Sequence, residues 1–323
     1  MIARSIVDAL IEAPIVTSFT RLGYEARSRL EGWAPLDDYD LSGQVIVVTG
    51  ATSGLGHAAA EQLARCGATL VVVGRDGERN ERVIAELAAS TGNPSITQIP
   101  ADMGDLEQVR HLAERVLAAH DRLDVLIHNA GALDPERRVA PGGTEATVAS
   151  QVVGPFLLTR LLLDRLAASA PARVLTMSSG GMYATGLKVS ELEMAPEDYN
   201  GTEQYARAKR AQVTLNEMWA DRHGDLGVTF HALHPGWADT PGVDAGLPTF
   251  AKVMGPFLRT PEQGADTLVW LAADDTALAS NGRFWLDRAP RPIHKLPTTR
   301  GTDTAERRNR LWDWVAATAD ATQ

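Results

Sequence analysis

The sequence predicts an α/β fold in which one doubly wound parallel sheet lies between two helical layers, and three observations predict it. From Gln44 onward short β-branched runs alternate with helical stretches, a glycine-rich turn follows the first run, and polar motifs recur just after several of the later runs. Strand alternating with helix implies parallel pairing through right-handed crossovers, with a ligand crevice at the carboxyl ends of the strands.

Taken in order, residues 1–42 form an N-terminal extension. Ile6, Val7, Leu10 and Ile11 have helical spacing, Pro14 interrupts, and 21–31 is arginine-rich and amphipathic. Packing on the body is the plain expectation, and contact with a membrane surface or a partner is the alternative. Strands are expected at 44–49, 69–74, 95–99, 124–128, 172–178, 228–233 and, weakly, 282–286. Apolar residues at helical period mark helices at 55–66, 77–90, 105–120, 144–168, 202–223 and 261–273. These elements make one domain over 43–286. A C-terminal extension, 287–323, opens with a Pro- and Arg-rich stretch read as a loop over 287–301. A last helix then carries Leu311, Trp312, Trp314 and Val315 at about 303–319.

Composition narrows the function. The apolar share of 44% over 323 residues is enough for one sizeable core. A formal charge of −10 argues against a general nucleic-acid surface, which needs clustered Lys and Arg. Cys66 is the only cysteine, so no intramolecular disulfide forms; its expected role is helix packing in a reducing compartment. No basic start leads into an apolar run, and no stretch approaches the roughly 18 apolar residues of a membrane span. The expectation is a cytoplasmic chain without a transmembrane span.

Thr49-Gly50-Ala51-Thr52-Ser53-Gly54-Leu55-Gly56 follows the first strand and opens a helix. Glycines there allow a tight turn and bring backbone N–H groups to a pyrophosphate at the positive helix terminus, which makes Gly50, Thr52, Ser53, Gly54, Leu55 and Gly56 cofactor-binding candidates. At the end of the second strand, where an acid would bind the adenosine ribose hydroxyls, the chain has Gly74-Arg75. Arg75 offers a planar fork of donors to a 2′-phosphate, so NADP(H) is favoured, with NAD(H) and a merely solvated arginine as alternatives. Asp102 and Met103 follow the third strand. They either contact the adenine edge, or Asp102 helps to cap the helix that begins near Asp105.

The glycine turn, His128-Asn129-Ala130-Gly131, Ser178-Ser179 and Tyr205-x-x-x-Lys209 together resemble the short-chain dehydrogenase/reductase family over about 43–275. The 26-residue gap between Ser179 and Tyr205 is similar to that of its retinol-dehydrogenase-like group. The resemblance implies a Rossmann fold and oxidoreduction between a carbonyl and an alcohol on a small molecule. It also implies cofactor contacts from Asn129, Ala130, Gly131, Tyr205 and Lys209, and a nicotinamide-holding segment at Pro235, Gly236 and Thr240. Relatives assemble through the helices after the fourth and fifth strands, which leaves a homo-oligomer open. Choosing Ser179 over Ser178 as the residue that orients the substrate oxygen rests on the resemblance alone. One departure stands out: where the family usually has an asparagine supporting a proton relay, this chain has Gln151.

The chemistry fits the residues. Hydride transfer needs a matching proton transfer at oxygen, and a tyrosine supplies it if its pKa near 10 falls by about 3 units, roughly 4 kcal/mol. A lysine ammonium about 4 Å away contributes about that much at an effective dielectric of 20. Position i+4 on a helix puts Lys209 on the face of Tyr205, whereas Tyr183 and Tyr199 have Leu187 and Glu203 at that spacing.

Trp237, Phe250, Met254, Phe257 and Leu258 fall where the family keeps its substrate loop and suggest a fairly apolar substrate, although each also reads as core. His231 and His234 have no further ligands to complete a metal site, so no metal is expected, and no G-x-S-x-G elbow supports a hydrolase. The competing reading from another class is an NADP-binding sensor or scaffold with little turnover, which Gln151 favours and intact Ser179, Tyr205 and Lys209 oppose. Sugar-nucleotide epimerisation is disfavoured by the glycine spacing.

Overall fold

Val45–Thr49 (β1), Thr69–Gly74 (β2), Ile96–Pro100 (β3), Val125–His128 (β4), Ala172–Met177 (β5), Val228–Leu233 (β6) and Arg283–Leu286 (β7) form the parallel part of one sheet. The computed structural model describes residues 8, 11–12 and 15–321. Strand order is β3-β2-β1-β4-β5-β6-β7, closed at one edge by an antiparallel β8, Ala289–Arg291. The central strands are apolar almost throughout because helices cover both faces, so alternation disappears and burial is continuous along β1, β4, β5 and β6.

Helices Gly54–Arg65 (α3), Gly77–Thr91 (α4) and, later, Pro261–Ala273 (α8) cover one face. Leu106–Ala119 (α5), Gly154–Ala168 (α6) and Gly201–His223 (α7) cover the other, with the C-terminal helix Ala305–Asp320 (α9) packed outside α6 and α7. Phe156, Trp219 and Trp312 join the last layer through ring contacts of 4.8–5.0 Å.

Two short helices, Ile15–Phe19 (α1) and Arg21–Glu31 (α2), place the N-terminal extension against the body, with Phe19 and Arg27 fully buried. Packing is therefore the outcome for the described part; Ile6, Val7 and Leu10 lie outside the described residues. Three expectations change. The stretch 287–301 is not simply a loop: it holds β8, where Pro290 fits an edge strand, and a short helix, Pro297–Arg300. Asp105, not Asp102, caps α5, accepting from the backbone of Glu107 and Gln108. Finally, Ala146–Ala168 passes for a membrane span by length and composition only, a weak candidate that the sequence reading did not name, and 72% of its apolar window is buried in the fold.

The C-terminal helix is expected to contribute to stability, not merely to decorate the domain. Leu311→Ala at a position with no exposure should cost about 2–5 kcal/mol in urea unfolding; an unchanged midpoint would mean that α9 is not anchored there.

Candidate active site

The carboxyl ends of β1, β2, β4, β5 and β6 open onto a cleft of about 860 Å³. The glycine turn forms its floor. Gly50 has φ 69°, and a side chain there would meet Ala130 Cα at 2.6 Å; a side chain on Gly56 would meet the Gly50 carbonyl at 2.2 Å. The amide of Asn129 fixes this turn, donating to the carbonyls of Thr49 and Gly50 at 3.1 Å each. Ser53, the N-cap of α3, makes no side-chain capping bond and lines the cleft, as does the first turn of the helix with its positive end. The residues present therefore fit a dinucleotide phosphate: small, backbone-lined and positive.

At the end of β2, exposed Arg75 lines the cleft together with Arg79, which the sequence reading did not single out. Asp76 caps α4 through the Arg79 N–H at 3.1 Å, so the nearest carboxylate is turned to the helix. The Arg79 guanidinium donates to the Thr52 carbonyl at 3.1 Å, linking the second strand's end to the glycine turn. Its signal was available: an arginine in the first turn of the helix after β2 faces the same crevice edge. Asp102 and Met103 also line the cleft; Asp102 accepts from Gly104 N–H at 2.9 Å.

Ser179, Tyr205 and Lys209 come together on the opposite wall. Ser179 ends β5's extension and accepts from the Gly181 N–H at 3.1 Å, and its side chain draws the Tyr205 pKa down. Lys209 is buried, donates to the Met177 carbonyl at 2.9 Å and stands 5.2 Å from the centre of the Tyr205 ring. Burial pushes Lys209 down to about 7 and holds Tyr205 up at about 12, the serine hydrogen bond opposing the latter shift. The protein groups alone thus do not depress the tyrosine as the sequence argument required; desolvation dominates, and Lys209 is not among the groups that lower it. Ser178, read as structural, donates to the backbone of Lys209 at 3.2 Å.

Gln151 is the one predicted site residue outside the cleft's lining. A π-helical turn, Ala149–Val153, swings it behind Gly131. Its amide nitrogen donates to the Ala132 carbonyl at 2.8 Å. The oxygen has no hydrogen-bond partner among the described residues and lies, with Lys209 Nζ, within 3.3 Å of where a Gly131 side chain would stand. Pro235, Gly236 and Thr240 do line the cleft, Thr240 as the N-cap of a short helix beginning at Pro241. Of the proposed substrate loop, Trp237 and Phe250 line it with rings 5.0 Å apart, but Met254, Phe257 and Leu258 do not: Leu258 faces the core and Phe257 faces solvent. Leu133, Val139 and Leu247 complete the apolar wall instead. His231 and His234 are buried core residues, and no metal-ligand cluster occurs among the described residues.

The profile of the short chain dehydrogenase family matches residues 44–247. This chain belongs to that family. Among its relatives, human dehydrogenase/reductase SDR family member 12 is 37% identical over 89% of this chain and 90% of its own length. Retinol dehydrogenase 12 of Bos taurus is 32% identical over 94% of this chain and 96% of its own. These place the chain among the retinol-dehydrogenase-like members. A solved structure described as a putative NAD(P) dependent gluconate 5-dehydrogenase from Beutenbergia cavernae with bound NADP is 28% identical, with a TM-score of 0.64, over 79% of this chain and 97% of that one. The family binds nicotinamide dinucleotides, and this chain is an oxidoreductase of it.

Because a side chain at position 56 has no room beside the Gly50 carbonyl, Gly56→Ala should weaken dinucleotide binding about tenfold or more in fluorescence titration. Unchanged binding would place the phosphates elsewhere.

Proposed function

We propose that this chain is an NADP(H)-dependent oxidoreductase that interconverts a carbonyl and an alcohol on a fairly apolar small molecule, with Tyr205 as general acid/base. The observation that carries the reading is the meeting of Ser179, Tyr205 and Lys209 across one cleft from the glycine turn. The dinucleotide supplies or accepts the hydride. Ser179 holds the substrate oxygen beside the Tyr205 hydroxyl, and Tyr205, kept protonated by its surroundings, delivers a proton to that oxygen in the reducing direction. Lys209 supports the phenolic oxygen when charged and orients the ribose of the cofactor. Gly50, Thr52, Ser53, Gly54, Leu55 and Gly56 hold the pyrophosphate, Asp102 and Met103 the adenine side, Asn129, Ala130 and Gly131 the ribose side, and Pro235, Gly236 and Thr240 the nicotinamide. Arg75, joined by Arg79, favours the 2′-phosphate, and the neighbouring carboxylate, Asp76, is engaged through Oδ1 as the cap of α4. The apolar wall of Leu133, Val139, Trp237, Leu247 and Phe250 supports the substrate class.

The sensor reading draws on Gln151. Its amide is directed to Ala132, and its backbone carbonyl accepts from Gln212 Nε2 at 2.6 Å, which removes the carbonyl from a relay.

Titration with NADPH and NADH tests the cofactor. Arg75→Ala should weaken NADPH about tenfold or more and leave NADH unchanged, because a charged phosphate contact is worth about 1.5–3 kcal/mol. Equal loss for both, or none, would overturn the preference. A pH series tests the acid. Lys209 loses its proton as pH rises through about 7, whereas Tyr205 keeps its own, so kcat/KM for NADPH in reduction should fall above about pH 7. A profile that instead rises with pH would contradict the assignment.

A further inference from the structure

The Pro235-Gly236-Trp237 segment faces the cleft on one side and a dense buried joint on the other. Gly236 has φ 75°, and a side chain there would meet the Arg259 guanidinium at 2.3 Å and the Phe19 carbonyl at 2.7 Å. Arg259 has only 1% exposure, and its guanidinium is bonded at all three nitrogens. Nε donates to the Phe19 and Thr20 carbonyls, one terminal nitrogen to Pro235 O and Asp287, the other to Ser18 O and Asp287, all at 2.5–3.3 Å. The same Phe19 carbonyl accepts from the Trp237 N–H at 2.7 Å, and Trp237 O accepts from Arg259 N–H at 2.8 Å. Arg27, also 1% exposed, donates to the shared Asp287 at 2.7 Å and to Ser18 O at 3.2 Å.

The Phe19 ring completes the joint from below. It stands 4.3 Å from the His234 ring and 5.7 Å from that of Trp237, and one of its carbons lies 2.6 Å from where a Gly180 side chain would stand, next to Ser179. Three backbone carbonyls from the N-terminal extension and one ring therefore back both the serine turn and the loop assigned to the nicotinamide. A planar fork of donors is needed to satisfy all these acceptors at once, and an ammonium cannot do so.

We propose that Phe19, Arg27 and Arg259 are positioning residues of the active site: the N-terminal extension, tied through Arg259 and Asp287, holds the Pro235–Trp237 loop in the shape that takes the nicotinamide half of the dinucleotide. This rests on the proposed function for what the loop binds, though not for the joint itself. The extension is thus part of the enzyme's working structure, and the segment from Ala238 to Leu258 hangs between the two ends that Arg259 joins.

Full-length Phe19→Ala and Arg259→Lys, with Arg29→Gln as an exposed control, test it by two readouts. The first is calorimetric binding of NADPH against adenosine 2′,5′-bisphosphate, which lacks the nicotinamide half. The second is thermolysin cleavage within 239–258, mapped by mass spectrometry without nucleotide. Both variants should weaken NADPH about tenfold, leave the bisphosphate within about twofold and speed cleavage in that segment. Equal weakening of both ligands, or no change in either together with unchanged cleavage, overturns the positioning role. Should the wild type bind neither ligand, the proposed function falls, and cleavage alone decides the joint: faster in the variants upholds it, unchanged refutes it.

Discussion

A sheet whose first seven strands all run one way, its centre buried on both faces, constrains everything else in this molecule. Parallel pairing from β1 to β7 sends every strand's carboxyl end to the same edge, so turns far apart in sequence become the walls of one cleft. The glycine turn after β1, Asn129 after β4, the serines after β5 and Pro235 after β6 are neighbours for that reason alone. Full burial of the strands also requires helices on both faces, and α7, one of them, carries Tyr205 and Lys209 back over the edge.

Within the cleft, desolvation is the dominant electrostatic influence. It lowers Lys209 to about 7 and raises Tyr205 to about 12, so near neutral pH the lysine is poised between charged and neutral while the phenol keeps its proton. That balance suits proton donation, the direction of carbonyl reduction. The amide of Gln151, held behind Gly131 by the π-helical turn, keeps an unpartnered oxygen on the lysine side. The extra methylene relative to asparagine lets the side chain reach Ala132 from within the wall.

Much of this was legible in the residues because it is local. A glycine turn between strand and helix, a tyrosine and lysine one helical turn apart, and an arginine closing β2 each announce themselves within a few positions, and all reach the cleft. What was not legible is tertiary. Arg27, in a stretch that reads only as arginine-rich and amphipathic, is buried because Asp287, 260 residues away, meets it. Arg259 follows an apolar loop, and nothing nearby in sequence shows that it closes that loop. Leu258, beside it, has the hydrophobicity expected of a substrate wall, yet the bridge from Ala238 to Arg259 turns it to the core. β8 was hidden by Pro290, which an edge strand tolerates and a central one does not. Arg79 was not hidden: it lies in the first turn of the helix after β2, at the same crevice edge as Arg75.

The proposed reaction depends most directly on the proton carried by Tyr205. NADPH oxidation should be followed at saturating nucleotide against apolar aldehydes and ketones, for wild type and Tyr205→Phe, with NADPH binding measured on both. Turnover is expected in the wild type, with a loss of about 10²–10⁴-fold in the variant and binding retained. Equal turnover by the two proteins, or tight NADPH binding with no carbonyl reduced by the wild type, would contradict it.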